Sequence, residues 1–261
     1  MGGQRAGTGG PVTIPVMDTQ SPDNRVYVPA SQRDDDPERC RALLRDVGAA
    51  LWISGEPVPD VTLLPTMWEG GHLIAHAALQ NAQFDRPEGA RRPCRVVVQG
   101  PHTYVTPRWY PSVQPPEHGG AARGRAAGRA VGTWDYEQVQ IAGWLRVHRD
   151  PARLRDEVMR QARQIDAQRL LDVPHTADAH RGPWSEAEAP PEFMDAMLQG
   201  IVGLELEITD VVGRFKLSRN RTEADRAGVV EGLRERGRDR DRRVADAVEA
   251  VEPLPRRPPT P

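Results

Sequence analysis

Residues 137–148 have the sequence Glu-Gln-Val-Gln-Ile-Ala-Gly-Trp-Leu-Arg-Val-His, and this stretch decides the fold class. Every second position is apolar or glycine, at Val139, Ile141, Gly143, Leu145 and Val147. The intervening positions include Gln138, Gln140 and Arg146. Because a period of two is typical of a β-strand that buries one face, we predict that 137–148 is the longest strand of a sheet.

Shorter apolar runs flank this strand on both sides, and glycine or proline interrupts them at roughly regular intervals. They predict strands at 49–54, 61–68, 72–79, 95–99, 103–106 and 204–208, with one turn at Gly100-Pro101 and another at 210–213. Short strands with hairpin-length gaps favour an antiparallel barrel or sandwich over alternating β-α-β units.

Helices are expected beside this sheet. Asp36 as N-cap, Pro37 in the first turn and Gly48 as C-terminal cap predict a helix at 37–47. Two more helices should begin at Asp150-Pro151 and Pro190-Pro191, and a further one is expected at 224–235. The residues expected to face the core are Leu154, Val158, Ala162 and Ile165 in the second helix, and Phe193, Met194, Met197, Leu198 and Ile201 in the third.

The composition predicts one α+β domain between two flexible ends. Residues 1–24 are rich in glycine, proline and polar side chains, so we expect a disordered extension. Residues 25–232 form the domain, and the Gly- and Ala-rich segment 113–131 is expected to be a mobile loop within it. The arginines of this loop either close on a ligand or keep the loop solvated. Residues 233–261 are charged and proline-rich, which predicts a disordered tail.

Several classes of function are disfavoured by the sequence. A net charge of −2 and a pI of about 6.4 argue against a general electrostatic grip on nucleic acid, and direct DNA binding is not expected. With only two cysteines, no Cys-rich metal site is available, and a zinc site is not expected either. The sequence contains no apolar run long enough to span a bilayer, no signal-peptide core and no phosphate-binding glycine motif. We expect a soluble, cytoplasmic protein without a membrane partner.

The segment Gly213-Arg-Phe-Lys-Leu-Ser-Arg-Asn-Arg221 is the main functional candidate. Lys216 is the only lysine among 35 lysines and arginines. Codon bias could leave one lysine by chance, but Ser218, Asn220 and two arginines crowd the same segment. An ammonium, a hydroxyl, an amide and guanidiniums together are suited to hold phosphate or carboxylate oxygens.

Aromatic side chains and one histidine form further candidates. Trp109-Tyr110 and Trp134 with Tyr136 lie at predicted strand ends, where they form either a wall for a flat ring or a dimer interface. His76 lies on the predicted strand 72–79. It is either a hydrogen-bonded strand residue or a ligand for a metal or a haem iron.

These segments together resemble the PaiB-like family, usually described as FMN-binding negative transcriptional regulators. The resemblance extends from about Arg25 to Gly232. Its motifs are Val26-Tyr-Val-Pro29, Ala75-His76, Asn81, Trp109-Tyr-Pro-Ser112, His118-Gly119, Thr133-Trp134, Tyr136, Gly203, Lys216-Leu-Ser-Arg-Asn-Arg221, Asp225 and Gly228-Val229. The family implies an antiparallel split β-barrel of the FMN-binding type with flanking helices, working as a homodimer with the cofactor at the subunit interface.

The sequence departs from the family at three places. Leu63-Leu64-Pro65 stands where the family has His-Leu-Pro, Asp135 replaces the Asn of Thr-Trp-Asn-Tyr, and the preceding loop carries an insertion. These changes indicate a specialised member. One specialised branch comprises the haem-dependent piperazate synthases, which resemble PaiB proteins and close an N–N bond in N5-hydroxyornithine.

The resemblance therefore leaves two functions open. One is a regulatory or ligand-sensing protein that binds FMN or haem; the other is a haem enzyme of the piperazate synthase type, with a small-molecule substrate. Expected catalytic residues are Lys216, a candidate proton donor, with Tyr136 and Asp135. Expected cofactor contacts are His76, Asn81, Trp109, Tyr110, Trp134, Ser218, Arg219, Asn220 and Arg221, with His76 as the axial ligand if the cofactor is haem.

Overall fold

A computed structural model of the protein describes residues 22–23, 25–34, 36–123, 127–172 and 182–254. Most of the expected N-terminal extension at 1–24 lies outside these ranges, and so does the end of the expected tail, at 255–261.

Eight strands form one antiparallel sheet. They are β1 (Arg33–Asp34), β2 (Ala49–Ser54), β3 (Asp60–Pro65), β4 (Met67–Glu69), β5 (His72–Ala78), β6 (Arg92–Val105), β7 (Thr133–His148) and β8 (Ile201–Lys216). The strand order is β3-β2-β6-β7-β8-β5-β4, and β1 pairs with the end of β8. Of these strands, β7 and β8 are the longest and pair with each other along nearly their whole length.

The sheet curls into a split barrel. Strand β3 and the turn after β5 are joined by side-chain hydrogen bonds, and no backbone ladder connects β3 with β5. Thr62 on β3 donates from Oγ1 to Gln83 Oε1 at 2.6 Å and accepts from Asn81 Nδ2 at 3.1 Å, just beyond β5. Gln83 is buried and also donates to the backbone oxygen of Trp52 at 3.0 Å. These bonds confirm the antiparallel split-barrel prediction, since they close the curled sheet without pairing β3 to β5.

Five α-helices of the described residues flank the barrel: α1 (Pro37–Val47), α2 (Pro151–Asp172), α3 (Pro191–Gln199), α4 (Glu223–Arg236) and α5 (Asp239–Ala250). The expected caps of α1 are present, since the Asp36 side chain accepts from Glu38 N at 3.0 Å and Gly48 has φ 74°. The largest fully buried side chains include those of Trp52, Phe84, Tyr110 and Phe215, which form the core inside the barrel.

Two predicted turns are wrong, because the residues that suggested them lie inside long strands. The segments predicted as strands 95–99 and 103–106 belong to the single strand β6, whose register shifts between Gln99 and His102. Pro101 has no N–H to give to the ladder, so the strand passes it as an irregularity and continues. The turn predicted at 210–213 is likewise part of β8. Gly213 is needed there because a Cβ would overlap Asp34 O of β1.

Some of the expected core positions are also wrong. Phe193 and Met197 on α3 are each 52% exposed, while Met194 and Leu198 of the same helix are buried. Ile165 on α2 is 42% exposed. A nine-residue helix that contacts the protein along one side can bury only a narrow stripe, so the apolar residues beside that stripe remain exposed.

The segment 113–131 folds back on itself where it is described. Ala121 N donates to Pro111 O at 2.9 Å, and Ala122 N donates to Gln114 O at 2.9 Å. Beyond residues 124–126, which are not described, Gly128 N donates to Val113 O at 2.9 Å. Ala122 is buried, so this part of the loop contributes to the packed structure.

The tail predicted to be disordered from residue 233 is wrong up to residue 250. Helix α4 continues to Arg236, and α5 packs its Val244, Ala245 and Val248 into the core. The charged residues of this segment concealed an apolar stripe at helical spacing. One of its acids, Asp241, is 0% exposed and accepts from Thr103 Oγ1 at 2.6 Å and from Arg236 Nε at 2.6 Å.

Replacing Asp241 by alanine should therefore destabilise the protein. The change leaves the Arg236 guanidinium and the Thr103 hydroxyl without their acceptor, and we expect a loss of about 3 kcal/mol in the free energy of unfolding. Chemical denaturation measures it. Asp239→Ala, an exposed position of the same helix, is the control and should change the stability little. Equal losses of stability in the two variants would show that the contacts of Asp241 do not hold α5 in place.

Candidate functional site

The candidate site forms where β8 ends. Phe215 and Leu217 alternate into the core, so the intervening Lys216 points away from it. Ser218 follows with φ 53°, and it is the one non-glycine residue with positive φ among the described residues. Backbone of this kind is uncommon for serine and recurs at functional sites. The chain then enters α4, whose N-cap Thr222 accepts from Asp225 N at 3.1 Å.

Three groups at the start of β7 surround the ammonium of Lys216. Its Nζ donates to Thr133 Oγ1 at 2.6 Å and to the backbone oxygen of Trp134. The carboxylate oxygen Oδ1 of Asp135 lies 3.5 Å away. The register places Tyr136 opposite Lys216, which brings the end of β8 next to the start of β7.

Asp135 is the buried partner of this group, with an exposure of 1%. Its Oδ2 accepts from Ser218 Oγ at 2.6 Å, and its Oδ1 has only the longer contact with Lys216. Burial raises the pKa of the Asp135 carboxyl, although Ser218 and Lys216 act in the opposite direction. Burial likewise lowers the pKa of the Lys216 ammonium against the attraction of Asp135. Desolvation therefore dominates on both sides of the pair.

Tyr110 lies below the same loop. Its ring is fully buried, and the guanidinium carbon of Arg221 lies 4.2 Å from the ring centroid. The Tyr110 hydroxyl has no hydrogen bond of good geometry, and Ser218 and Arg221 are among its polar neighbours. Burial raises the pKa of this hydroxyl, so it stays protonated over a wide pH range. Tyr110 thus supports the site from inside the core.

A cavity of about 110 Å³ opens between these residues. It is lined by Ser31, Gln32, Thr133, Asp135 and the whole run from Lys216 to Arg221. Lys216, Arg219 and Arg221 give it three cationic side chains against the one carboxylate of Asp135. A cavity of this size accommodates an oxyanion group but not a fused ring system.

An exposed aromatic surface lies at the same end of β7 as the cavity. Trp134 is 50% exposed and Tyr104 43% exposed, and their rings meet edge to face with centroids 6.5 Å apart. His102 lies 6.0 Å from the Trp134 ring. Tyr136 is the strand partner of both His102 and Lys216. The guanidinium carbon of Arg214 lies 5.3 Å from the centroid of the Tyr136 ring. A flat ring bound there would lie at the same end of β7 as the cationic cavity.

His76 lies at the opposite end of β8. It pairs with Gly203, which is about 40 Å along the strand from Lys216 at the usual rise per residue. Burial lowers the pKa of His76, although Gln161 and Glu157 of α2 favour its protonation. On the other side of Gly203, His148 forms a bond of 3.0 Å from Nε2 to Glu157. One chain therefore does not bring His76 and Lys216 to the same ligand.

Two other expected cofactor contacts are engaged within the fold. Asn81 caps the short turn at Ala82–Phe84, accepting from Gln83 N at 3.1 Å, and bonds to Thr62. Trp109 packs against α4, where a Cβ at Gly232 would overlap its indole ring. The structure thus brings Lys216, Asp135, Tyr110, Trp134, Tyr136 and the segment Ser218–Arg221 together, and places His76, Asn81 and Trp109 elsewhere.

The sequence analysis missed several residues that build the site. Thr133 holds the ammonium, and Gln32 lines the cavity while binding Arg214 Nε at 3.0 Å. Asp225, which is buried, accepts from Ser112 N at 2.9 Å and from Ser112 Oγ at 2.7 Å, and so ties α4 to the turn after Trp109-Tyr110. Ser112, Thr133 and Asp225 belong to the motifs quoted above, but Gln32 carried no signal.

Neither a side-chain cluster suited to a metal ion nor a membrane-spanning helix occurs in the described part of the chain. No group of three or more His, Cys, Asp or Glu side chains is arranged to hold a metal ion. No helix in the same ranges combines the length and the apolar character needed to cross a membrane.

Residues 26–210 match the family model described as "Putative FMN-binding domain". The chain belongs to this family. Together with the relatives below, the match confirms the resemblance to PaiB-like proteins, and FMN is the cofactor that the family description names. The matched range ends before Lys216, so the family match covers most of the barrel and the candidate site extends beyond it.

Three relatives show the extent of similarity for this FMN-binding-domain protein. An uncharacterized protein of Emericella nidulans is 28% identical over 158 residues, covering 59% of this chain and 57% of the relative. An uncharacterized Aspergillus fumigatus protein is 29% identical, covering 59% of this chain and 56% of the relative. The chain thus spans little more than half the length of these two. The Bacillus subtilis protein "Protease synthase and sporulation protein PAI 2" is 26% identical over 179 residues, covering 68% of this chain and 72% of the relative.

Similarity to solved structures is more distant. An FAD and haem binding protein from Mycobacterium smegmatis gives a TM-score of 0.46 at 13% identity, covering 71% of this chain and 73% of that one. The flavocytochrome Anf3 from Azotobacter vinelandii gives a TM-score of 0.43 at 16% identity, with 75% of each chain covered.

Because Lys216 is the only lysine, isotope-labelled lysine gives a single side-chain NMR signal on which its ionisation can be followed. We expect a titration midpoint below that of a free lysine, since burial disfavours the ammonium. Asp135→Asn should lower the midpoint further, because the attraction that raises it is removed. Asp246→Asn on α5 should have no effect. A Lys216 titration midpoint equal to that of a free lysine would contradict this electrostatic account. So would a midpoint that does not change in Asp135→Asn.

Proposed function

We propose that this protein binds FMN, with the phosphate in the cavity between Lys216 and Arg221 and the isoalloxazine ring against the Trp134–Tyr104 surface. The observation that carries the proposal is the convergence of the only lysine and two arginines on a small cavity beside exposed aromatic rings. The fold belongs to a family whose description names this cofactor. Such a flat, anionic molecule needs both kinds of surface.

The residues present fit the two parts of FMN separately. The cavity of about 110 Å³ suits a phosphate group, and its three cations outnumber the single carboxylate. Asp135 does not oppose an anion strongly, because burial raises the pKa of its carboxyl and its oxygens are turned to Ser218 and Lys216. The half-exposed Trp134 offers the ring a face that is not covered by the protein's own core.

Each residue of the site then has a distinct task. Thr133 and the Trp134 backbone oxygen orient the Lys216 ammonium, while Ser218 holds Asp135 in place. Lys216, Arg219 and Arg221 neutralise the phosphate. Because the ammonium is lost as the pH rises through the lowered pKa of Lys216, binding should weaken on the alkaline side. When bound, FMN supplies the redox chemistry of its isoalloxazine ring.

A regulatory or ligand-sensing role follows best from these features. The proposed ring site is an open surface, so a bound ring would remain accessible to a small molecule or to a second chain. The resemblance to PaiB-like regulators supports the same role. The homodimer implied by that resemblance would place a second copy against this surface, where the exposed Trp134 and Tyr104 provide apolar area to bury.

The haem enzyme remains the second candidate, and one observation favours it. Burial lowers the pKa of His76, which keeps its imidazole in the neutral form that ligates iron. His76 lies about 40 Å along β8 from Lys216, so a haem that used both residues would have to lie between two chains. In that arrangement Lys216 of one chain would be the candidate proton donor, with Asp135 and Tyr136 beside it.

The FMN proposal is tested by titrating the protein with FMN and following flavin fluorescence. Stacking on an indole quenches it, so we expect quenching that saturates. Trp134→Ala should reduce the quenching and weaken binding about tenfold. Phe193→Ala, an equally exposed aromatic residue on α3, is the matched control and should bind normally. Unchanged binding by Trp134→Ala would remove the aromatic surface from the site.

The haem alternative is tested by reconstitution with haem and absorption spectroscopy. If His76 is the axial ligand, a Soret band appears and His76→Ala shifts or abolishes it. His72→Ala lies on the same strand and the same face, and it should leave the band unchanged. A band that persists in His76→Ala would exclude His76 as the ligand, and no Soret band at all would exclude this candidate.

A further inference from the structure

A second cavity, of about 960 Å³, lies on the outer side of the sheet near the β2–β3 connection. Its walls include the apolar side chains of Ile53, Pro59, Pro87, Pro93 and Ala142. Ala142 is about 20 Å along β7 from Tyr136, which borders the Lys216 cavity. The two cavities are therefore separate, and the second one has the size and the apolar floor typical of small-molecule sites.

Arginines dominate the polar lining of this cavity. It is bordered by Arg25, Arg86, Arg91, Arg92 and Arg95, with Asp23 and Glu56 as the acidic side chains. The protein as a whole carries a net charge of −2, so this concentration of positive charge is local. A concave surface with an excess of one sign raises the local concentration of ligands of the opposite sign.

Three of these arginines have no carboxylate partner in the described part of the chain. Arg25 pairs with Asp23 at 3.1 Å, and Arg91 pairs with Glu207 at 3.1 Å. Arg86, Arg92 and Arg95 form no such ion pair with a described residue. The border of the cavity thus carries five guanidiniums against the two carboxylates of Asp23 and Glu56, and three of the five lack a direct ion pair within the described residues.

The protein also leaves donors of these arginines unused. Arg92 donates to the backbone oxygen of Gln83, and Arg95 donates to that of Asp23 at 3.1 Å. The Nε atoms of both are buried without an acceptor in the described residues. Burial lowers the pKa of Arg92, and the nearby charge of Arg86 lowers it further, so these two like charges repel each other. Bringing an oxyanion between them would remove that cost.

We propose that this cavity binds a small organic phosphate, with the phosphate held by Arg86, Arg92 and Arg95 and an apolar body lying over Ile53, Pro59 and Ala142. Guanidinium forks match phosphate oxygens in pairs, and a phosphate carries up to two charges with three acceptor oxygens. A carboxylate offers one charge and two oxygens, which would leave most of the three forks unfilled. A cavity of this size with an apolar floor fits a small molecule better than the backbone of a nucleic acid.

The full-length protein is titrated with ADP by calorimetry, with adenosine and citrate as ligand controls. We expect ADP to bind, adenosine not to bind, and citrate to bind more weakly than ADP. Arg86→Gln and Arg95→Gln should each weaken ADP binding about tenfold, as for the loss of one charged hydrogen-bonding group. Arg86 is the first choice, since its side chain has no hydrogen bond to a described residue and its loss should not disturb the fold. Thermal unfolding checks this.

Arg45→Gln, at the exposed end of α1, is the matched control and should keep the ADP affinity of the unmodified protein. The proposal fails if ADP does not bind, if citrate or adenosine binds equally well, or if Arg45→Gln weakens ADP as much as Arg86→Gln does. Preferential binding of duplex DNA that depends on Arg86 would also overturn it. Trp134→Ala should leave ADP binding unchanged, which separates this site from the proposed FMN site.

Discussion

The pairing of β7 with β8 is the constraint on which the rest of the structure depends. The register extends from Tyr136 opposite Lys216 to His148 opposite Gly203, and it absorbs one irregularity where Thr209 bulges opposite Ala142 and Gly143. Thr209 fastens that bulge by donating from Oγ1 to Ala142 O at 3.2 Å. A slip of one residue would turn every side chain of the strand to the other face. Lys216 would then lose Thr133, and the site would not form.

The Asp135–Lys216 pair illustrates why such a site is better explained by function than by stability. Both groups are shifted toward their neutral forms by burial, so the pair does not recover the full cost of desolvation. Ser218 adds a backbone conformation that serine adopts at some cost, and in return its hydroxyl reaches Asp135 at 2.6 Å. A fold selected for stability alone would more simply place apolar residues here. The cluster is consistent with a structure held ready for an anionic ligand.

Local signals in the sequence predicted the elements whose ends are set by local chemistry. The helix at 37–47 and the strand at 49–54 were predicted with their observed bounds, because Asp36, Pro37 and Gly48 act within a few residues. The turns at Gly100-Pro101 and 210–213 were wrong because tertiary pairing carries both strands past glycine and proline. Helix α5 was missed since its apolar stripe is buried by contacts with β6 and α4, which are distant in sequence. The Lys216 cluster was found because a single lysine is visible by inspection, whereas its separation from His76 required the strand register.

The region after residue 210 does more than close the fold. The family match ends there, yet Lys216, Ser218 and Arg221 lie beyond it, and so do the two helices that support them. The segment after α5 binds directly to the loop that follows β8 and carries Arg219. Leu254 N donates to Arg219 O at 2.9 Å, and Arg219 Nε donates to Glu252 O at 3.2 Å. Arg226 of α4 fixes the end of α5 by donating to the backbone oxygens of Val248 and Val251, each at 2.5 Å. Since the barrel supplies Thr133 and Asp135 while the C-terminal helices hold the loop that carries the cations, the geometry of the site depends on both parts of the chain.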